Sequence, residues 1–71
     1  MCLAVPGLVI KLSGSQAEVD FGGGAVRAAS VQFVPQAKIG DYVLVHAGCA
    51  IQIVRREDAL ETLNLLKEIY G

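Results

Sequence analysis

The chain has no tryptophan and only four aromatic residues, Phe21, Phe33, Tyr42 and Tyr70. It has two cysteines and a single histidine. Two thiols are too few for the disulfide framework that staples small secreted domains. One histidine, with the acids scattered over polar positions, leaves no Ser-His-Asp set and no paired carboxylates, so an enzyme is not expected. Charge is equally scarce. Six Lys and Arg face seven Asp and Glu, for a net charge of −1. Nucleic-acid binders displace counterions with a basic stripe, and single-strand binders add aromatic platforms. Neither is present, and no nucleic-acid partner is expected. No apolar run approaches the roughly 20 residues needed to span a bilayer, so no membrane partner is expected either. The segment from Met1 to Ile10 is apolar, but no basic stretch precedes it and Pro6-Gly7 interrupts it, unlike a secretory signal. The expected location is cytoplasmic, with both thiols reduced.

What the chain does have is apolar residues, 54% of 71. At this length a chain buries only about 60% of its unfolded surface, so one domain over 1–71 with a small core is expected. Part of the apolar content should stay exposed as a docking surface for protein partners.

Val9 to Leu12 contains strand formers and ends at the turn cluster Ser13-Gly14-Ser15. Ala17 to Phe21 alternates, with Ala17, Val19 and Phe21 inward and Glu18 and Asp20 outward. Gly22-Gly23-Gly24 is a permissive turn. The next strand is expected over Ala25 to Val34, with Val26 against Arg27 and with Val31 and Phe33 flanking Gln32, ended by Pro35. Tyr42 to Ala47 and Ala50 to Val54, separated at Gly48, are nearly continuous apolar runs and predict strands buried on both faces. Five short strands at this spacing predict a mainly β fold, a small five-stranded barrel over about 1–54 whose closure removes sticky edges. The period then changes. Leu60, Leu63, Leu66 and Tyr70 recur at helical spacing, and Leu65 and Ile69 widen the stripe. A C-terminal α-helix is expected over about 57–70, capped by Asp58 and Glu61, with one face on the barrel and another available to a partner.

Three soft donors stand out, Cys2, His46 and Cys49. A cysteine next to a chain start is poorly placed for core packing, because termini fray unless tied down. Cys2 is then either a working thiol or an incidental one. With Met1 removed, the thiol and the new α-amino group would sit on adjacent atoms and could chelate one metal. With Met1 retained, the thiolate alone is offered, still a good ligand for soft metals. His46 lies in an apolar strand and reads either as a structural histidine or as a second ligand. Cys49 reads as a small buried hydrophobe. The three do not form the paired Cys spacing of a structural zinc site. The glycine run is not a phosphate loop, since Ala25-Val26 follows where Lys-Ser/Thr is required.

The opening Met1-Cys2-Leu3-Ala4-Val5-Pro6-Gly7 resembles the N-terminal signature of the HypC/HupF family, Met-Cys-Leu-(Ala/Gly)-(Ile/Val)-Pro-(Gly/Ala). Ala17 to Gly23, Gly40 to Gly48 and Ala59 to Leu66 resemble that family's second strand and turn, its internal stretch and its leucine-rich terminal helix, in the same order. The resemblance implies an OB-like barrel with a C-terminal helix, and a hydrogenase-maturation chaperone rather than an enzyme. The implied partners are a HypD-type scaffold protein and the NiFe-hydrogenase large-subunit precursor. The implied cargo is a transient iron with cyanide and carbon monoxide ligands, with no permanent cofactor. The family's essential cysteine matches Cys2 and its strand histidine matches His46, both as metal-binding candidates. Cys2, Leu3, Ala4, Val5, Pro6, Gly7 and His46 are the candidate partner-binding residues, Pro6 and Gly7 shaping an exposed arm that presents the thiol. Cys49 departs from the family, many of whose members carry a large apolar residue there. An OB-type nucleic-acid module and an unrelated thiol metal-trafficking protein are the competing readings.

Overall fold

A computed structural model describes residues 4–70, which form five strands and a helix. The strands are β1 (Val5–Ser13), β2 (Gln16–Asp20), β3 (Val26–Ser30), β4 (Tyr42–His46) and β5 (Cys49–Val54), and the helix is α1 (Arg56–Tyr70). The strands close into a barrel in the order β1-β2-β3-β5-β4, antiparallel except where β3 meets β5 through Ser30 and Cys49. This is the expected mainly β, OB-like barrel with a C-terminal helix.

Closure depends on β1, which is long enough to serve two neighbours. Its first half pairs with β4, from Val5 opposite Val45 to Leu8 opposite Tyr42. Its second half pairs with β2, from Leu8 opposite Asp20 to Ser13 opposite Gln16. A register shift between Val9 and Lys11 bends the strand at this change of partner and turns Ile10 outward, 40% exposed. The inner face of the barrel is narrow, and small side chains fill it. Val9, Val19 and Val43 are fully buried together with Ala50, and Ala17 and Ala29 are nearly so. No buried side-chain N or O atom among the described residues lacks a partner.

Several expectations need correction. β1 begins at Val5, not Val9, because antiparallel pairing to β4 holds Val5, Pro6 and Gly7 in the sheet. Pro6 and Gly7 are buried there and do not form an exposed arm. The third strand ends at Ser30, and residues 31–41 form a chain of turns. Val34 N–H donates to Val31 O, Ala37 N–H to Val34 O and Asp41 N–H to Lys38 O. In such i→i+3 turns every third residue shares a side. Val31, Val34 and Ala37 are therefore the buried residues, and Phe33, read as alternating with Gln32 in a strand, is 63% exposed. β4 and β5 are not buried on both faces. The barrel is a single layer, so only Val43 and Ala50 of these strands are fully buried, while Ile51 and Gln52 are exposed.

The helix starts earlier than its expected cap. The Arg55 carbonyl accepts the first helical bond, from Ala59 N–H at 3.0 Å, which puts Asp58 inside the first turn. Asp58 instead receives the Arg55 Nε–H at 3.0 Å. That hydrogen bond, then the charges of Asp58 and Glu57, raise the Arg55 pKa against slight desolvation. The acidic first turn and Lys67 in the last turn match the helix dipole.

Candidate functional site

The local geometry starts from the turn between β4 and β5. Only Ala47 and Gly48 connect the strands, with φ of 53° and 79°. Positive φ at both central residues is what a type I′ hairpin requires, and its twist matches that of the strands. Glycine accepts this backbone freely; alanine does not, because its Cβ crowds the carbonyl. Ala47→Gly is therefore expected to stabilise the chain by about 0.5–1 kcal/mol, the relief of left-handed strain exceeding the added unfolded-state entropy. Urea unfolding checks this through a raised midpoint at unchanged slope.

The two-residue turn sets His46 directly opposite Cys49. The preceding pair, Val45 opposite Ala50, points inward, since Ala50 is fully buried and Val45 packs on the core. Neighbouring positions on a strand point to opposite faces, so His46 and Cys49 stand together on the outer face. Both are half-buried. Cys49 is thus not the core residue expected, because a register shift between Leu44 and Val45 puts Ala50 in the interior position. The turn is anchored from outside by Ser30 N–H donating to the Gly48 carbonyl at 2.9 Å.

β1 brings Val5 to the same place. Val5 lies opposite Val45, the residue before His46. Cys2 and Leu3 lie outside the described residues. Three residues of chain lead from Cys2 to Val5, a reach of at most about 10 Å. Ala4 and Val5 are half-buried; Pro6 and Gly7 are buried. A Cβ on Gly7 would collide with Val19 Cγ1 and lie 2.9 Å from two ring carbons of Phe21, so only glycine fits where β1 crosses β2. Among the described residues, no three His, Cys, Asp or Glu side chains gather as a complete metal site.

Beside this end of the barrel runs an apolar groove of about 840 Å³ between the strands and α1. Val5, Phe21, Leu60, Leu63 and Leu66 line it, with Asn64 and Lys67 as polar members. Ala59 is the helix's fully buried anchor, and α1 packs on β1 and β4. Leu65 and Ile69 remain 52% and 70% exposed, which matches the expectation of a second helix face left open. Sequence periodicity indicated the spare leucines, but it carried no sign that Val5 and Phe21 would form the opposite wall. No described helix is long and apolar enough to cross a membrane.

The fold and these positions define a small OB-like barrel protein with a histidine–thiol pair at one hairpin and an apolar groove beside its N-terminal strand. Comparison with known proteins names the group more closely. The sequence model of the HupF/HypC family matches residues 1–66. The chain is 45% identical over 75 aligned positions to the hydrogenase maturation factor HypC of Synechocystis sp., covering 97% of both chains. It is 38% identical to the protein of that name from Azotobacter chroococcum, covering 97% of this chain and 82% of the relative. For the Escherichia coli K12 protein of that name, identity is 32% over 99% of this chain and 83% of the relative. The chain belongs to the HupF/HypC family.

Proposed function

We propose that this chain is a hydrogenase-maturation chaperone that carries iron between proteins, with Cys2 as the working thiol. The observation that carries the reading is its near full-length similarity to the Synechocystis hydrogenase maturation factor. The site chemistry supports it. A thiolate tethered about 10 Å or less from the start of a rigid strand can reach a metal on one protein and release it to another. It is also the soft donor that suits low-spin iron with cyanide and carbonyl ligands. His46 lies beside the anchor point of that tether and serves as a second ligand or a polar contact to the cargo.

In this reading the iron unit is cargo and not a resident cofactor. The partners are a HypD-type scaffold protein, on which the unit is built, and the NiFe-hydrogenase large-subunit precursor, which receives it. Pro6 and Gly7 lock the base of the tether into the sheet, while Cys2, Leu3, Ala4 and Val5, with His46, meet the partner. The reaction takes place in the cytoplasm.

The test is anaerobic affinity purification of the tagged chain from its native cells, with bound proteins identified and infrared spectra recorded. Recovery of a scaffold protein or hydrogenase precursor is expected, with cyanide and carbonyl stretches that vanish in Cys2→Ala. Recovery of nucleic acid or plain zinc in place of both partners would overturn the proposal.

A further inference from the structure

We propose that His46 and Cys49 form a two-donor site for a thiophilic metal ion that keeps other ligands of its own, independent of Cys2. The two residues are direct cross-strand partners on one face. Such partners have Cβ atoms about 4.5–5.5 Å apart. A tetrahedral ion bound at about 2.0 Å from nitrogen and about 2.3 Å from sulfur asks its two donors to stand only about 3.5 Å apart. An imidazole nitrogen and a thiolate extending from these Cβ positions can close that gap by side-chain rotation, with no movement of backbone.

The backbone itself is held. A two-residue turn joins the donors, and its Gly48 carbonyl is tied to Ser30 on the neighbouring strand. Half burial leaves both side chains reachable from solvent. Binding is a simple exchange: Cys49 loses its thiol proton to solvent as the sulfur–metal bond forms, neutral His46 offers a nitrogen lone pair, and two waters leave the ion. No oxidation state changes. Two protein donors cannot complete a tetrahedral shell, so the ion stays open to ligands it brings or a partner supplies. This is the chemistry of a metal in transit, and thiolate with imidazole selects zinc, copper(I) or iron over magnesium or calcium. The existence of the pair rests on described residues alone. Its use in holding cargo while Cys2 is engaged elsewhere rests on the proposed maturation function.

Cobalt(II) is the probe, added anaerobically to the reduced full chain carrying Cys2→Ala and followed by thiolate-to-cobalt charge-transfer absorption. Saturation at one equivalent per chain is expected. Adding Cys49→Ser, or Cys49→Val as a second variant should the serine chain fail to fold, should remove the band. Adding His46→Gln should weaken binding on the order of 10²-fold, the loss of one of two tethered donors. Metal-free melting curves confirm that each variant is folded. A Cys2→Ala chain with no band overturns the site, and so does a band that survives loss of Cys49 or binding indifferent to His46. A missing band in a Cys2→Ala chain whose maturation also fails removes this site and leaves the proposed function standing. Cobalt binding by a Cys2→Ala chain that still matures hydrogenase does the reverse.

Discussion

Cys2→Ala is expected to abolish hydrogenase maturation in cells that depend on this chain, while its thermal unfolding midpoint stays that of the parent. The separation follows from where the core lies. Among the described residues the buried cluster begins at Val9 and is built from Val9, Val19, Val43 and their valine and alanine neighbours. The substitution alters none of these described side chains. What it removes is the soft donor. Cys2→Ser sharpens the test, since the hydroxyl keeps the size of the side chain and loses the thiolate. Both variants should fail if sulfur–metal bonding is the role, as read by hydrogenase activity and by loss of the bound carbonyl and cyanide bands. Full maturation in Cys2→Ala would remove the thiol from the mechanism, and full maturation in Cys2→Ser alone would reduce its role to shape.

Gly7→Ala should be the most damaging single-methyl change in the chain, costing about 1–3 kcal/mol, the usual range for overpacking. The new methyl would meet Val19 Cγ1, which belongs to a fully buried side chain, and would lie 2.9 Å from the Phe21 ring. Val19 cannot withdraw, because it is paired with Val9 on one side and Arg27 on the other. At roughly 4–8 °C per kcal/mol for a domain of this size, the midpoint should fall visibly in a thermal scan. Val19→Ala in the same chain should recover part of the loss, since it removes the methyl group that is struck, and the double-mutant cycle measures that coupling. Gly14→Ala is the contrast. Nothing lies within 4 Å of its added Cβ, so its only cost is the positive φ of 60°. An unchanged midpoint for Gly7→Ala would mean that β1 and β2 do not cross as closely as described. Gly7→Ala should impair maturation only in proportion to the folded fraction lost, unlike Cys2→Ala.

Expectation and structure part in an instructive way. The second strand was legible because Ala17 and Val19 alternate with Glu18 and Asp20, and the barrel buries one face only. The helix was legible from its leucine period, although its start was not, since Arg56 and Glu57 extend it past Asp58. The error at the third strand came from reading Val31 and Phe33 as alternation; the turns of residues 31–41 run at period three and leave Phe33 outside. At the candidate site, Cys2 and His46 stood out from the sequence as soft donors. That Cys49 faces His46 outside the core did not, because the answer depends on a register shift one residue away in β4.

By itself the sequence determined the class of fold, the turns at Ser13 to Ser15, Gly22 to Gly24 and Gly48, and the thiol at position 2. These follow from side-chain chemistry and short periods, which act between neighbours in the chain. The tertiary structure alone decided that Pro6 and Gly7 belong to a strand, that a glycine is required against Val19, and that His46 and Cys49 share one outer face. Each of these is a matter of register between segments far apart in sequence. A strand slipped by one residue sends every side chain to the other face, so only the closed set of pairings around the barrel could settle them.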